Sequence, residues 1–242
     1  MQLTENPAIQ LQQVHYMINE QPILSNITGS FLNGKITTLV GPSGAGKTTL
    51  LKLCNGLISA NSGDIFVHNQ PLTDYPPIEL RRKVGIALQS APMISGTVFE
   101  NLALPFQLQK KPFTKQDALH ALQDVGLDER LLDQQANELS GGQRQKVSIA
   151  RTLLNRSNIL LLDEITAALD RNAAYEIEQL IIKINRKYNT TIIWITHNLR
   201  QAKRIGDFVG VLKDGKVVET GPIQLLTTST NPIVQQFVKG DL

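Results

Sequence analysis

Cysteine is nearly absent: Cys54 is the only one in 242 residues. An intrachain disulfide framework and a cysteine-built metal centre are both excluded, and a single thiol fits a reducing compartment. An excess of charge of one sign is missing too. Lys and Arg number 24 against 21 Asp and Glu, a formal net charge of +3, too slight to mark a dedicated nucleic-acid binder. Long apolar runs are lacking; residues 159–162 form one of the longest, whereas a bilayer span needs about 20 residues. The chain opens MQLTENPAIQ, with no basic leader ahead of an apolar stretch, so no secretory signal is expected and the cytosol is the expected location. Glycine and proline number 17 and 11, well under a low-complexity composition, and no internal repeat is found. What remains is a chain long enough to bury a core without staples. At roughly 150 residues per domain, its length points to one core with a sizeable appendage.

Hydrophobic periodicity divides that core. Residues 9–14 and 23–31 read as strands separated by the polar Asn19-Glu20-Gln21-Pro22 stretch, and Asn33-Gly34 reads as a hairpin-type turn before a strand at 36–40. A glycine-rich loop at 41–46 and a helix from Lys47 toward Gly56 follow. Between about 91 and 155 the pattern becomes helical: Ala118, Leu119, Leu122 and Val125 precede a stop at Gly126, and Val147, Ala150, Leu153 and Leu154 repeat the spacing. Residues 159–162 are apolar throughout, as in a parallel strand buried on both faces. A helix striped by Ile177, Leu180, Ile181, Ile184 and Tyr188 and a strand at 191–195 complete a βαβ unit. Residues 208–212 and 217–220 flank Lys213-Asp214-Gly215-Lys216 as a final hairpin. The expected fold is α/β: a mostly parallel sheet from 1–90 and 156–242 with an N-terminal antiparallel β-subdomain, and a helical subdomain inserted at 91–155.

Three stretches carry chemistry. GPSGAGKT at 41–48 has the spacing of a phosphate-binding P-loop, strand before it and helix after it. Backbone N–H groups of Gly41, Pro42, Ser43, Gly44, Ala45 and Gly46, in those places where an N–H exists, and of Lys47, Thr48 and Thr49 converge on phosphate, helped by the helix dipole. Lys47 is expected to neutralise the β- and γ-phosphates, and the Thr48 hydroxyl to ligate Mg²⁺. Asp163 and Glu164 end the apolar strand, where α/β sheets bind ligands; the first is placed to hold Mg²⁺ and the second to polarise the water that attacks the γ-phosphate of ATP. LSGGQ at 139–143 reads in two ways. Ser140 and Gln143 make a capping box that needs no ligand, while Gly141 and Gly142 sit in a first turn that they destabilise by about 1 kcal/mol each relative to Ala, leaving bare donors for a phosphate. Two such cradles beside one P-loop suggest joint use.

GPSGAGKT, Gln89 after the strand at 84–88, LSGGQ, ILLLDE, Ala168-Leu169-Asp170 and His197 after TIIWIT occur in the order of the ATP-binding cassette transporter ATPases, which the chain resembles over almost its whole length. The resemblance implies a head-to-tail homodimer in which the P-loop of one subunit and the LSGGQ of the other close on one ATP. It implies that Gln89 contacts Mg²⁺ and senses a transmembrane permease subunit, that Asp170 communicates across the dimer, and that His197 contacts the γ-phosphate. The chain would then lie peripherally on the cytoplasmic face of the cell membrane. Two departures stand out. Ile165 replaces a usual proline, and the slot for an adenine-stacking aromatic falls at Ile18, with Tyr16 two residues early; stacking and strand burial both remain open for Tyr16.

DEITAALD, with QSAPMISGTVFENLALP after Gln89, is most similar to a subgroup containing the bacterial iron-export ATPase and a plant aluminium-tolerance ATPase. A repair-type cassette needs a long coiled-coil insertion, translation-type cassettes are usually paired in one chain, and a GTP switch needs N-K-x-D; none occurs here. Residues 90–105, with Met93, Ile94, Val98, Phe99, Leu102 and Leu104, are expected to dock the membrane partner, Phe99 serving as anchor.

Overall fold

The structure, a computed structural model, describes residues 7–240. Strands β1 (Pro7–Ile18) and β2 (Gln21–Leu32) form an antiparallel hairpin. Its turn residues Asn19 and Glu20 have φ of 47° and 65°, the left-handed pair whose twist matches that of the strands it joins.

Strand β3 (Ile36–Val40) leaves this sheet altogether. The expectation of a hairpin at Asn33-Gly34 is therefore corrected: the chain does turn there, but the strands on either side belong to different sheets. The turn is anchored from far along the chain, Gly34 N–H donating to Thr191 Oγ1 (2.9 Å) and Asn185 Nδ2 donating to the Gly34 carbonyl (2.9 Å). The loop after β3 enters α1 (Lys47–Cys54). The chain then crosses back through β4 (Ser62–Val67) and β5 (Gln70–Pro71), and α2 (Pro77–Lys83) leads to β6 (Val84–Ala87).

Three helices follow β6 in the chain: α3 (Val98–Leu108), α4 (Lys115–Asp124) and α5 (Gly141–Leu153). Each opens on a complete capping box, from Thr97 to Glu100, Thr114 to Asp117 and Ser140 to Gln143, so each start is written locally in the sequence. Next come β7 (Ile159–Asp163), α6 (Arg171–Tyr188), β8 (Thr191–Ile195), α7 (Leu199–Ile205), the hairpin of β9 (Phe208–Lys213) and β10 (Lys216–Pro222), α8 (Leu225–Thr228) and α9 (Pro232–Lys239).

Among the described residues the strands form two sheets. One, in the order β2-β1-β4-β5, is antiparallel; the other, β10-β9-β3-β8-β7-β6, is parallel except for its edge pair β9 and β10. The α/β architecture expected from the sequence is present, with a mostly parallel sheet beside an antiparallel one. β3, β7 and β8 are buried almost throughout, which is why they read as continuous apolar runs. One core cluster joins α1 to the antiparallel sheet, and a second lies between the parallel sheet and α3–α6. On α6 the stripe Ile177, Leu180, Ile181 and Ile184 is buried as expected, but Tyr188 is 47% exposed. Its hydroxyl donates to Asp124 Oδ2 instead (2.7 Å). No helix among the described residues is long and apolar enough to cross a membrane.

Candidate nucleotide-binding site

The strand order decides which residues meet. β3, β8, β7 and β6 are consecutive and parallel, so their carboxyl ends form one edge. That edge carries in turn the loop at 41–46, Thr196-His197, Asp163-Glu164 and Gln89, and it is the edge where open α/β sheets bind ligands.

At the centre of the cradle, Gly46 is the residue before α1 and has φ of 94°. A Cβ there would meet Leu24 Cδ2 at 2.6 Å, so both conformation and space require glycine. No side chain caps α1, and the N–H groups of its first turn therefore remain available to an anion. Lys47 folds back over the loop, its Nζ donating to the carbonyls of Gly41 and Pro42 at 2.8 Å each. Its side chain is buried, and burial lowers the pKa of the ammonium, an effect that Glu164 and Asp163 partly offset. Ser43 and Gly44 are exposed, Thr49 half-buried.

Thr48 Oγ1 donates to Asp163 Oδ1 at 3.0 Å, joining α1 to the end of β7. Burial raises the Asp163 pKa above the ordinary carboxylate value; the Thr48 bond opposes that rise and Glu164 adds to it. A carboxylate held in this way favours an approaching cation. Glu164 takes φ of 49°, an uncommon conformation for a residue with a side chain. It is fixed by its N–H donating to the Ile195 carbonyl (3.1 Å) and by its own carbonyl accepting from Ala167 N–H (2.9 Å). The kink turns its carboxylate off the strand toward His197, whose Nε2 lies 2.6 Å from Glu164 Oε1, within hydrogen-bond distance. Ile165, in place of the usual proline, is 1% exposed in the second core cluster. Packing thus anchors the segment that a proline ring would stiffen.

Gln89 is exposed in the turn after β6. That turn is fastened to the helical layer: Gln145 Nε2 donates to the Leu88 carbonyl (3.3 Å) and Arg151 to the Pro92 carbonyl (2.6 Å). Buried Asn101 gathers the following loop through Ile94 N–H (2.9 Å) and the carbonyls of Ile94 (3.1 Å) and Thr97 (2.9 Å).

The remaining predicted residues form a second group at the start of α5. Ser140 and Gln143 close their capping box, the Gln143 N–H donating to Ser140 Oγ (3.2 Å) and the Ser140 N–H to Gln143 Oε1 (2.8 Å). Gly141 and Gly142 press on the loop that bears Asp170: a Cβ on Gly141 would lie 3.3 Å from Leu169 Cδ2, and one on Gly142 3.2 Å from Ala173 Cβ. The Asp170 carboxylate caps α6, accepting from the N–H groups of Asn172 (2.9 Å) and Ala173 (3.0 Å).

Tyr16 is half-buried against the first core cluster, opposite Leu24, the residue that abuts Gly46. Ile18 is 49% exposed near the end of the hairpin. Phe99 packs into the helical layer with its ring centroid 5.7 Å from that of Phe113. The sequence reading missed two buried polar side chains: Gln201, which reaches the loop after Glu164 and the residue before His197, and Glu178, which holds Gln201. Thr166 and Glu178 lie 35 and 23 residues from Gln201, too far along the chain for a local motif to announce them.

Residues 24–167 match the family model described as ABC transporter. YjkB of Bacillus subtilis (strain 168), named as an ABC transporter ATP-binding protein, is 40% identical over 98% of this chain and 96% of its own. The methionine import ATP-binding protein MetN of Staphylococcus saprophyticus is 37% identical over 97% of this chain and 72% of its own. Among solved structures, the dimeric post-hydrolysis state of the ATP-binding cassette MJ0796, bound to ADP and Pi, superposes with a TM-score of 0.79 at 31% identity, over 89% of this chain and 98% of that one.

Proposed function

The chain belongs to the ABC transporter family, and from that premise we propose how its residues serve the ATP hydrolysis that subunits of this family couple to transport. The observation that carries the reading is the junction of α1 and β7, where a buried lysine, an uncapped helix start and two acids share one sheet edge.

The loop at 41–46 and the N–H groups of Lys47, Thr48 and Thr49 hold the phosphates of ATP, and Lys47 turns its ammonium to the β- and γ-phosphates. Thr48 Oγ1 and Asp163 Oδ1 are adjacent hard oxygen donors, and with Gln89 from the neighbouring strand end they suit Mg²⁺. Such an ion neutralises charge on the phosphate oxygens. Glu164, aimed by its left-handed backbone, takes the proton of the attacking water. His197 orients that carboxylate and lies within reach of the γ-phosphate.

A second copy supplies Ser140, Gly141, Gly142 and Gln143 across the nucleotide, and Asp170 sits at the same face; the dimeric form of MJ0796 supports this arrangement. The helices between β6 and β7 act as one subdomain at 91–155 that carries the signature residues toward that second copy. The membrane partner, a permease subunit, docks in the groove of about 530 Å³ between α2 and α3. Leu57, Ile78 and Leu108 line it and are 45%, 66% and 76% exposed, and it reaches Leu88, directly before Gln89. Leu104 on its wall replaces Phe99 as the anchor within the 90–105 segment. Docked there, the chain lies at the cytoplasmic face of the cell membrane.

For cargo, the DEITAALD string supports metal-ion export. Import of a small organic solute is the competing reading, favoured by the methionine importer among the relatives. Metal efflux and methionine uptake, measured in cells with and without the gene, separate the two.

The test of the site is Glu164→Gln. The amide keeps the shape and loses the base, so this variant should bind Mg-ATP, turn it over poorly and elute as an ATP-dependent dimer in size-exclusion chromatography. Elution as a monomer with ATP and Mg²⁺ present would sink the composite-site reading.

A further inference from the structure

Outside the residues of the sequence motifs, one buried polar network joins the loop after Glu164 to the loop before His197. Glu178 on α6 is 2% exposed, as is Gln201 on α7. The Glu178 carboxylate accepts two hydrogen bonds from Arg204, from Nε at 2.6 Å and from the terminal nitrogen at 2.7 Å, and a third from Gln201 Nε2 at 2.9 Å. Gln201 Nε2 also donates to Thr166 Oγ1 at 3.0 Å, and Gln201 Oε1 accepts from Thr196 Oγ1 at 2.5 Å. Thr166 lies two residues after Glu164, and Thr196 directly precedes His197. Both threonines and Gln201 line, with Glu164, His197, Glu178 and Arg204, a single cavity of about 1020 Å³.

The chemistry of this network is directional. A carboxylate only accepts hydrogen bonds, so Glu178 compels Gln201 to present its NH₂ group, and the amide oxygen must then face Thr196. The Thr196 hydroxyl is thereby made a donor to Gln201, which leaves its oxygen to accept the Asn198 N–H (3.0 Å). Arg204 matches the carboxylate bidentately. Reversal of the amide would set its oxygen against the carboxylate, so it is Glu178 that fixes which way Gln201 faces. Few orientations of the two loops satisfy all of these bonds together, and the loops carry the two side chains that meet at 2.6 Å.

We propose that Gln201, oriented by Glu178 and Arg204, is a positioning residue for hydrolysis: it staples the Thr166 and Thr196 loops so that Glu164 and His197 are held in register with each other. The inference rests on the reading of Glu164 as the base. It separates the network from the phosphate cradle, because none of its bonds involves residues 41–49.

The test is steady-state ATPase kinetics and ATP binding of the full chain carrying Gln201→Met, which keeps length and removes every hydrogen bond. Thr166→Val is the milder companion, removing one hydroxyl from a half-buried site. Misplacement of a reacting group lowers turnover steeply, so kcat should fall between about tenfold and a hundredfold in Gln201→Met, with ATP affinity within about twofold of the parent. Thr166→Val should show the same split with a smaller fall. A role confined to fold stability predicts that melting temperature, affinity and kcat fall together; that pattern, or a kcat within about twofold of the parent in either single variant, overturns the inference. Glu164→Gln run beside them keeps the two claims apart. Turnover retained in Glu164→Gln defeats the base assignment, whereas its loss together with an active Gln201→Met defeats the staple alone.

Discussion

Among the described residues, α1 and α5 both have glycine at their starts, and they are built in opposite ways. α1 begins after Gly46 with no side-chain cap, and the nearest cation, Lys47, lies over its loop on the carbonyls of Gly41 and Pro42. α5 begins with the same economy of side chains at Gly141 and Gly142, yet Ser140 and Gln143 complete its capping box. An uncapped start keeps its orphan donors for an anion. A capped start has satisfied part of that demand within its own chain, and its glycines answer the close approach of Leu169 and Ala173. On the proposed reading the first start is a binding site in one chain, while the second is a packed joint whose remaining donors await another surface. The same reading has nucleotide bound through one motif and a second copy needed to use the other.

The comparison breaks most readily at Lys47. Lys47→Ala removes the only ammonium in the cradle, and a hydrogen bond to a charged group is worth about 1.5–3 kcal/mol, so loss of the contacts to two phosphates should weaken ATP binding about a hundredfold or more. Isothermal titration calorimetry with Mg-ATP checks it, and near-parent affinity would remove α1 from the site. Burial also lowers the pKa of this ammonium, so on raising the pH Lys47 loses its proton before an ordinary lysine does. ATP affinity of the parent should therefore decline in the alkaline range, and Lys47→Ala should lack that decline.

The open helix start was legible in the sequence because everything in it is local: strand, glycine loop and helix follow within 36–54, and the apolar run ending in Asp163-Glu164 announces its own burial. Fold class followed from the same local periods. What the sequence hid were long-range choices. Asn33-Gly34 has the chemistry of a hairpin turn, but β3 pairs with β8 and β9, more than 150 residues on, and no local signal opposes the nearer partner. Tyr188 fits the period of α6 and is drawn to the surface by Asp124 on α4. Phe99 has the composition of an interface anchor, but Phe113 provides a ring for it inside the helical layer. At the site, Glu178 and Gln201 carry no motif, because what unites them with Thr166 and Thr196 is a shared cavity and not a spacing.

The capped helix start gives the next effect. Ser140→Ala removes the side-chain acceptor of the Gln143 N–H and should lower stability by about 1 kcal/mol, within the 0.5–2 kcal/mol range of such losses. Urea denaturation in the absence of nucleotide measures it. Nucleotide binding by a single chain should be unchanged, since α5 is not part of the cradle. A matching loss of ATP affinity in the monomer would erase the distinction between the two helix starts.

The smallest change in stability, and the sharpest test of the contrast, is at Gly142. Alanine there gains about 1 kcal/mol of helix propensity, while its Cβ enters at 3.2 Å from the Cβ of Ala173, closer than ordinary van der Waals contact. The neighbour is backbone-fixed at the first turn of α6, so the loop at 169–173 must give way slightly, at a cost of similar size. The two terms oppose each other, and the net change should stay within about 1 kcal/mol of zero. Function should respond differently, because the methyl group covers the backbone donors that a phosphate held by the second copy would approach. Gly142→Ala is therefore expected to unfold near the parent's urea midpoint and to bind ATP as a monomer with parental affinity. Introduced beside Glu164→Gln, it should abolish the ATP-dependent dimer. Retention of that dimer would assign Gly142 to packing alone, and the second helix start would then be no more than a joint.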